Sequence, residues 1–170
     1  VSDYVNDFLS SSPHNKAVVY SSFVSSLPKI EERLDSSCVL YTGSMSAKEK
    51  EANKVKFQTE KNTRVLISSD AGGYGIDLPQ ANLLVNANLP WSSGTMLQRN
   101  SRIKRASSKW ESVVVQDILI SNSIEIRQYE MLTQKNTVAS AVVDGLGIDS
   151  DGELKLTAGS LRNFLKTITV

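Results

Sequence analysis

Arg64-Val65-Leu66-Ile67-Ser68-Ser69-Asp70-Ala71-Gly72-Gly73-Tyr74-Gly75-Ile76-Asp77 is the stretch on which the fold turns. Three successive apolar residues, Val65 to Ile67, read as a short buried strand, and the glycine-rich segment from Asp70 to Gln80 reads as a loop. Upstream, Ser46-Ala47-Lys48-Glu49 has the capping-box pattern and predicts a helix to about Thr59. Before it, Val39-Leu40-Tyr41 is strand-like and stops at Thr42-Gly43. Phe23, Leu27, Ile30 and Leu34 fall on one face of a predicted helix, Phe23 to Leu34. Ala17-Val18-Val19-Tyr20 is a β-rich run after Pro13, and Val1, Tyr4, Val5, Phe8 and Leu9 have helical spacing. Downstream, Leu83-Leu84-Val85 is a strand. Ser92 or Ser93 caps a predicted helix through Arg105. Val113 to Ile120 is a longer strand, and Ile124 to Gln134 a helix. Strand and helix alternate, so the expected class is α/β: an open parallel sheet with helices on both faces, joined by right-handed crossovers. Function in such sheets sits at the carboxyl ends of the strands.

The composition fits one domain with a small appendage: 170 residues, 40% hydrophobic and 22% charged. One cysteine, Cys38, and one histidine, His14, exclude a disulfide within the chain and a Cys/His zinc cluster, so neither a disulfide partner nor a metal site is assigned. No apolar run approaches the ~20 residues of a membrane helix, and nothing resembles a signal peptide. The expectation is a protein of a reducing compartment without a membrane partner, the cytoplasm, or the host cytoplasm if viral. The chain starts without Met on a helical pattern, like a piece of a longer protein. A net charge of +1 says nothing about nucleic acid, but its distribution does. Leu78 to Trp110 holds no acid while carrying Arg99, Arg102, Lys104, Arg105 and Lys109. After about residue 136 the texture changes to Asp144, Gly145, Gly147, Asp149, Asp151 and Gly152. Leu154-Lys155-Leu156 follows as an extended piece, then a Ser160-capped helix with Leu161, Phe164, Leu165 and Ile168. The expected organisation is a domain over 1–136 and an extension over 137–170.

Two segments suggest chemistry. Glycines after a strand let the backbone approach a ligand, and exposed N–H groups there hold phosphate oxygens; a plain tight turn is the alternative. The segment is neither a Walker A loop nor a dinucleotide fingerprint, since the Gly-Lys-Ser/Thr and the spacing are missing. The second is Gln98-Arg99-Asn100-Ser101-Arg102-Ile103-Lys104-Arg105. On a helix Gln98, Arg102 and Arg105 share one stripe. Such a stripe is often a solvated face, yet here it gathers two guanidinium groups with no acid nearby in sequence. Arginine forks match phosphate geometry, and a pair of them suits the charge on a transferring phosphoryl group. Arg99 and Lys104 point elsewhere on that helix, as backbone contacts or solvent charges.

Taken in order, Lys16 to Phe23, Tyr41-Thr42-Gly43, Val65 to Leu78, Leu89-Pro90-Trp91 and Gln98 to Arg105 resemble the C-terminal lobe of superfamily 2 helicases. The match is best with the Swi/Snf-type DNA translocases, small phage members included, and it covers roughly residues 16 to 135. The resemblance implies a RecA-like sheet and ATP bound between two lobes. ATP and Mg2+ would be held mainly by an N-terminal RecA-like lobe of the same protein, and DNA, or RNA, would be the track. It implies that Arg102 and Arg105 are arginine fingers, that Gln98 orders the cleft, and that Gly75 and Asp77 line the nucleotide. Ser69 would meet a nucleic-acid phosphate, Ser21, Ser22, Thr42 and Gly43 would hold the tracking strand, and Trp91 would brace the nucleic-acid path. Alone, the chain is expected to hydrolyse nothing.

There are departures. Ser101 stands where glycine is commoner, Lys104 where histidine is common, and Ala106-Ser107 where Gly-Gln usually follows. Asp77 stands where Swi/Snf proteins often have Asn, and Lys48 to Lys50 lack a usual arginine. Trp110, Tyr129 and Met131 read as packing, Cys38 as a small buried hydrophobe, and His14 as a loop residue. Asp144, Asp149 and Asp151 lack the calcium-loop pattern. The competing readings are a non-enzymatic nucleic-acid-binding module, an RNA helicase lobe, and a Rossmann-type enzyme. The last lacks an acidic ribose partner and a general base.

Overall fold

The run around Val65 becomes β3 (Thr63–Ser69), the strand between β2 (Ser37–Tyr41) and β1 (Ala17–Ser21) in a five-stranded sheet. The order β2-β3-β1-β4-β5 is completed by β4 (Leu83–Asn86) and β5 (Val114–Asp117), and every pairing is parallel. The computed structural model describes residues 1–72, 75–104 and 106–143, with side chains through Thr133. The chain divides into two units, 1–129 and 130–170, and the sheet lies in the first.

Successive strand residues point to opposite faces, and both faces are covered. Val18, Tyr20, Leu66 and Leu84 join Val39, Tyr41, Phe57, Ile76, Leu78 and Ile103 on one face. Ala17, Val19, Val65, Ile67, Leu83 and Val85 pack with Val5, Leu9, Leu27 and Ile30 on the other. Those last four come from α1 (Ser2–Ser10) and α2 (Leu27–Glu31), whereas Phe57 comes from α3 (Ala47–Thr59). Each fully buried Leu, Val or Phe contributes about 1.5–3 kcal/mol, which is why the unbroken apolar runs became the central strands. The edge strand β5 differs: Val114 and Val115 are 43% and 38% exposed.

Several predicted elements hold closely. The capping box forms, with Ser46 Oγ accepting from the Glu49 N–H at 3.3 Å and the Glu49 carboxylate accepting from the Ser46 N–H at 2.8 Å. The Ser46 hydroxyl, which donates to the Glu49 carboxylate at 2.7 Å, and then the Ser46 N–H hold that carboxyl below its ordinary range. Others change. The predicted helix from Phe23 is a 3₁₀ turn, Val24–Ser26, followed by the five-residue α2. Pro28 explains the late start, since proline suits only the first turn of a helix. Phe23 is left 62% exposed instead of joining Leu27 and Ile30. β5 is shorter than Val113 to Ile120. α5 (Ile124–Val143) runs past Gln134, because no glycine or proline interrupts it before Gly145. Cys38 lies within β2, half-buried, with its Sγ donating to Glu31 Oε1 at 3.3 Å. Burial, then that bond, pushes the thiol up to about 12. The predicted linker, Leu154–Leu156 and the Ser160 helix lie outside the described residues.

Candidate functional site

The strand order reverses around β1: the chain leaves β1 towards β2 on one side and reaches β4 on the other. A crevice at such a point, beyond the carboxyl ends, is the usual ligand position of an open parallel sheet. Here the ends are Ser21, Tyr41, Ser69, Asn86 and Asp117. Of the expected site residues, Ser21 and Ser69 end their strands, Ser22, Thr42, Gly43, Gly75, Asp77 and Trp91 lie on the loops that follow, and Gln98 and Arg102 lie on and just after the helix that follows β4.

Between β2 and β3, Ser69 is the pivot. It is buried at 2% exposure, and its Oγ accepts from the Gly43 N–H at 3.3 Å and the Gly72 N–H at 3.1 Å. Gly72 passes so close to β2 that an added Cβ would lie 2.1 Å from the Tyr41 carbonyl oxygen, so only glycine fits. Thr42 is buried, its hydroxyl sharing a hydrogen bond with Ser44 at 3.0 Å, and Gly43 is exposed beside it. Ser69 therefore ties the two loops together from inside.

Between β1, β3 and β4 lies a buried polar cluster that the sequence pattern did not reveal. Arg99 is 3% exposed. Its Nε donates to Asp70 Oδ1 at 2.6 Å, and its Nη2 to Asp70 Oδ2 at 2.8 Å and Ser22 Oγ at 3.0 Å. Its Nη1 donates to Asn86 Oδ1 at 3.1 Å and the Asn88 carbonyl at 2.9 Å. The guanidinium also lies 5.5 Å from the Tyr20 ring centroid. Ser22 Oγ in turn donates to Asp70 at 2.8 Å, and Asn88 Oδ1 accepts from the Ser21 hydroxyl at 3.0 Å and the Ser22 N–H at 2.9 Å. Asn86 Nδ2 extends the cluster to Asp117 at 2.7 Å. Burial works against the Asp70 charge, but the bonds and charge of Arg99, with Ser22, outweigh it and hold the carboxyl below its usual range. Burial pushes the Tyr20 hydroxyl up to about 12, opposed by the charges of Arg102 and then Arg99. Among the described residues that hydroxyl has no hydrogen-bond partner.

The arginine segment differs from its prediction. α4 (Ser93–Asn100), capped by Ser92, ends before Arg102, so Gln98 and Arg102 do not share a helical stripe. Two bonds explain the stop. Ser101 Oγ donates to the Gln98 carbonyl at 2.9 Å, and the Arg102 carbonyl accepts from the Leu78 N–H at 3.0 Å. Ile103, buried in the core, pins the next residue. Arg102 is thus half-buried beside the Leu78 end of the glycine turn, and Gln98 is exposed. The ion pairs of the described residues are Arg99–Asp70 and Lys54–Glu51, and Arg102 enters neither. Arg99, expected as a backbone contact or solvent charge, is the buried one. Gly75 has φ +74°, a conformation that favours glycine whatever the space around it. Asp77 is exposed, and its carbonyl accepts from Gln58 Nε2 at 3.3 Å. Arg105, Gly73 and Tyr74 lie outside the described residues.

Trp91 is 75% exposed on the loop after β4. That loop is anchored by Gln128, buried at 5% exposure, whose Nε2 donates to the Pro90 carbonyl at 3.0 Å and the Leu89 carbonyl at 3.3 Å. Trp110 packs as expected, with Nε1 donating to the Gln80 carbonyl at 2.9 Å. Sequence reasoning missed Asp70, Asn86, Asn88 and Gln128. The one readable signal was Asn86 and Asn88, polar at alternate positions directly after the buried run Leu83-Leu84-Val85.

Residues 1–107 match the family described as helicase conserved C-terminal domain. The chain belongs to that family. Its relatives place this helicase C-terminal lobe with the Swi/Snf-type members of superfamily 2. It is 27% identical over 167 residues to the DNA repair and recombination protein RAD54-like of Gallus gallus, covering 95% of this chain and 22% of that protein. It is 31% identical over 148 residues to the DNA repair protein RAD5 of Gibberella zeae, covering 85% of this chain and 12% of that protein. The ATP-dependent helicase rhp16 of Schizosaccharomyces pombe is 30% identical over 133 residues, 76% of this chain and 15% of the relative. The lobe therefore spans about a fifth or less of these relatives. In fold it resembles the C-terminal part of the Fun30 ATPase domain, with TM-score 0.68, 22% identity, and 76% of this chain and 44% of that one covered. It also resembles the S. cerevisiae Dbp5 C-terminal domain, with TM-score 0.62, 15% identity, and 79% and 77% covered. The RecA-like architecture of the helicase C-terminal lobe is the architecture observed. No helix of the described residues is long and apolar enough to cross a membrane.

Proposed function

We propose that this lobe is the second half of an ATP-driven DNA translocase or helicase, supplying Arg102 and Arg105 to ATP held by an N-terminal RecA-like lobe. The observation that carries the reading is the bond from the Leu78 N–H to the Arg102 carbonyl, which keeps this arginine beside the Gly75–Asp77 run at the carboxyl edge. Among the described residues Arg102 has its charge outside the ion pairs, as a group meant for an incoming anion requires. Lobe closure brings the fingers to the γ-phosphate. There they would stabilise the charge developing on the transferred phosphoryl group while water displaces ADP; Mg2+, held mainly by the other lobe, would supply charge neutralisation. Gln98 orders the cleft, and Gly75 and Asp77 line the nucleotide. Ser22 and Gly43, exposed, and Trp91 face the nucleic acid, while Ser21, Thr42 and Ser69 brace the loops from within. The lobe proper is residues 1–136, with 137–170 an extension.

The test is Arg102→Ala and Arg105→Ala in the full-length protein. ATP binding is retained and turnover falls by about 10³-fold. Unchanged hydrolysis in both variants removes the finger assignment. The 170-residue chain alone has no Walker A lysine and is expected to show no turnover. Binding of DNA weakens steeply with salt if the edge contacts phosphates.

A further inference from the structure

We propose that Arg99 is a positioning residue: its guanidinium clamps the glycine turn to the segment carrying Arg102, so that finger and turn move as one piece. This rests on the finger reading above. All five N–H donors of Arg99 are engaged, on Asp70, Ser22, Asn86 and the Asn88 carbonyl, so one side chain joins the ends of β1, β3 and β4 to α4. The turn between Asp70 and Leu78 is gripped at both ends by one short segment, Arg99 to Arg102. Asp70 is held by the Arg99 side chain, and Leu78 by the Arg102 carbonyl. The two grips are joined through the backbone, since the Arg102 N–H donates to the Arg99 carbonyl at 3.0 Å. Loosening the Arg99 clamp therefore lets Arg102 shift against Gly75 and Asp77. Ser22, which both donates to Asp70 and accepts from Arg99, carries the same frame to the loop after β1. A lysine cannot replace this fork, since an ammonium has three donors and no planar span.

The experiment uses the full-length protein with Arg99→Lys, Asp70→Asn and the double variant, and Arg102→Ala as reference. Turnover number and KM for ATP are measured at saturating DNA, together with thermal unfolding. Arg99→Lys is expected to lower kcat by about 10²-fold, the scale of a misplacement of about 1 Å, with KM within about twofold. Asp70→Asn lowers kcat in the same direction. The double variant is no worse than Arg99→Lys alone, since both break one clamp. The proposal falls if either single variant keeps wild-type kcat. It falls equally if the lost activity returns with a stabilising osmolyte, which would mean that only folded protein was lost. If Arg102→Ala itself leaves turnover unchanged, the finger reading fails. If Arg102→Ala is inactive and Arg99→Lys fully active, only the positioning role fails.

Discussion

At the amino edge of the sheet, two cations donate only to main-chain carbonyls, whereas at the carboxyl edge Arg99 is held mostly by side chains. Lys16, just before β1, donates to the carbonyls of Phe57, Glu60 and Thr63, the last two at 2.8 and 3.1 Å. Arg64 donates through Nη2 to the Leu9 and Ser12 carbonyls, both at 2.6 Å, and through Nε to Asn15 at 3.0 Å. Three of these six acceptors, Leu9, Phe57 and Glu60, lie at the ends of α1 and α3, where the last carbonyls have no partner within the helix. The amino-edge cations finish helices. Arg99 instead meets Asp70, Ser22 and Asn86, residues on loops and strand ends that form the candidate site. A carbonyl-held cation serves the fold wherever it stands. A cation held by side chains is set by residues that can be exchanged without altering the backbone, and it sits where the site is.

Three substitutions test that contrast through stability and turnover, from the strongest to the weakest. Arg99→Ala leaves the Asp70 carboxylate without its partner and is expected to cost about 3 kcal/mol in denaturant unfolding, besides abolishing turnover. Gly72→Ala, whose Cβ has no room beside Tyr41, should cost about 2 kcal/mol and loosen the link from Ser69 to Gly43. Arg64→Met at the other edge should cost about 1 kcal/mol and leave ATP turnover within about twofold of wild type. A large loss of turnover there would erase the distinction between the edges.

The smallest effect is on pH dependence. Asp70 is held below its ordinary range, so near and below about pH 4 the unfolded chain binds more protons than the folded one. Its stabilisation is present above the unfolded pKa and is lost as pH falls through the folded pKa. Asp70→Asn should flatten that acid limb. Burial pulls the Lys16 ammonium below its ordinary range, and here too the unfolded chain binds more protons. This contribution makes stability rise with pH towards about 10.4, so Lys16→Gln should flatten an alkaline limb. Unfolding midpoints in urea across pH read both.

Much of this lobe was legible from local chemistry. Unbroken apolar runs such as Val65–Ile67 and Leu83–Val85 announce strands buried on both faces, and Ser46 with Glu49 announces α3, because burial and capping depend on near neighbours along the chain. The order of motifs from Lys16 to Arg105 carried the family for the same reason. The tertiary structure alone decided which arginine is buried. Arg99 and Arg102 are alike as residues, and each was open to a helical or a solvent role. The choice depends on partners 13 to 77 residues away, Asn86, Asp70 and Ser22 for one and the Leu78 N–H for the other. Those partners meet only once parallel pairing has brought the carboxyl ends of β1, β3 and β4 together, and a buried charge goes where its hydrogen bonds can all be made.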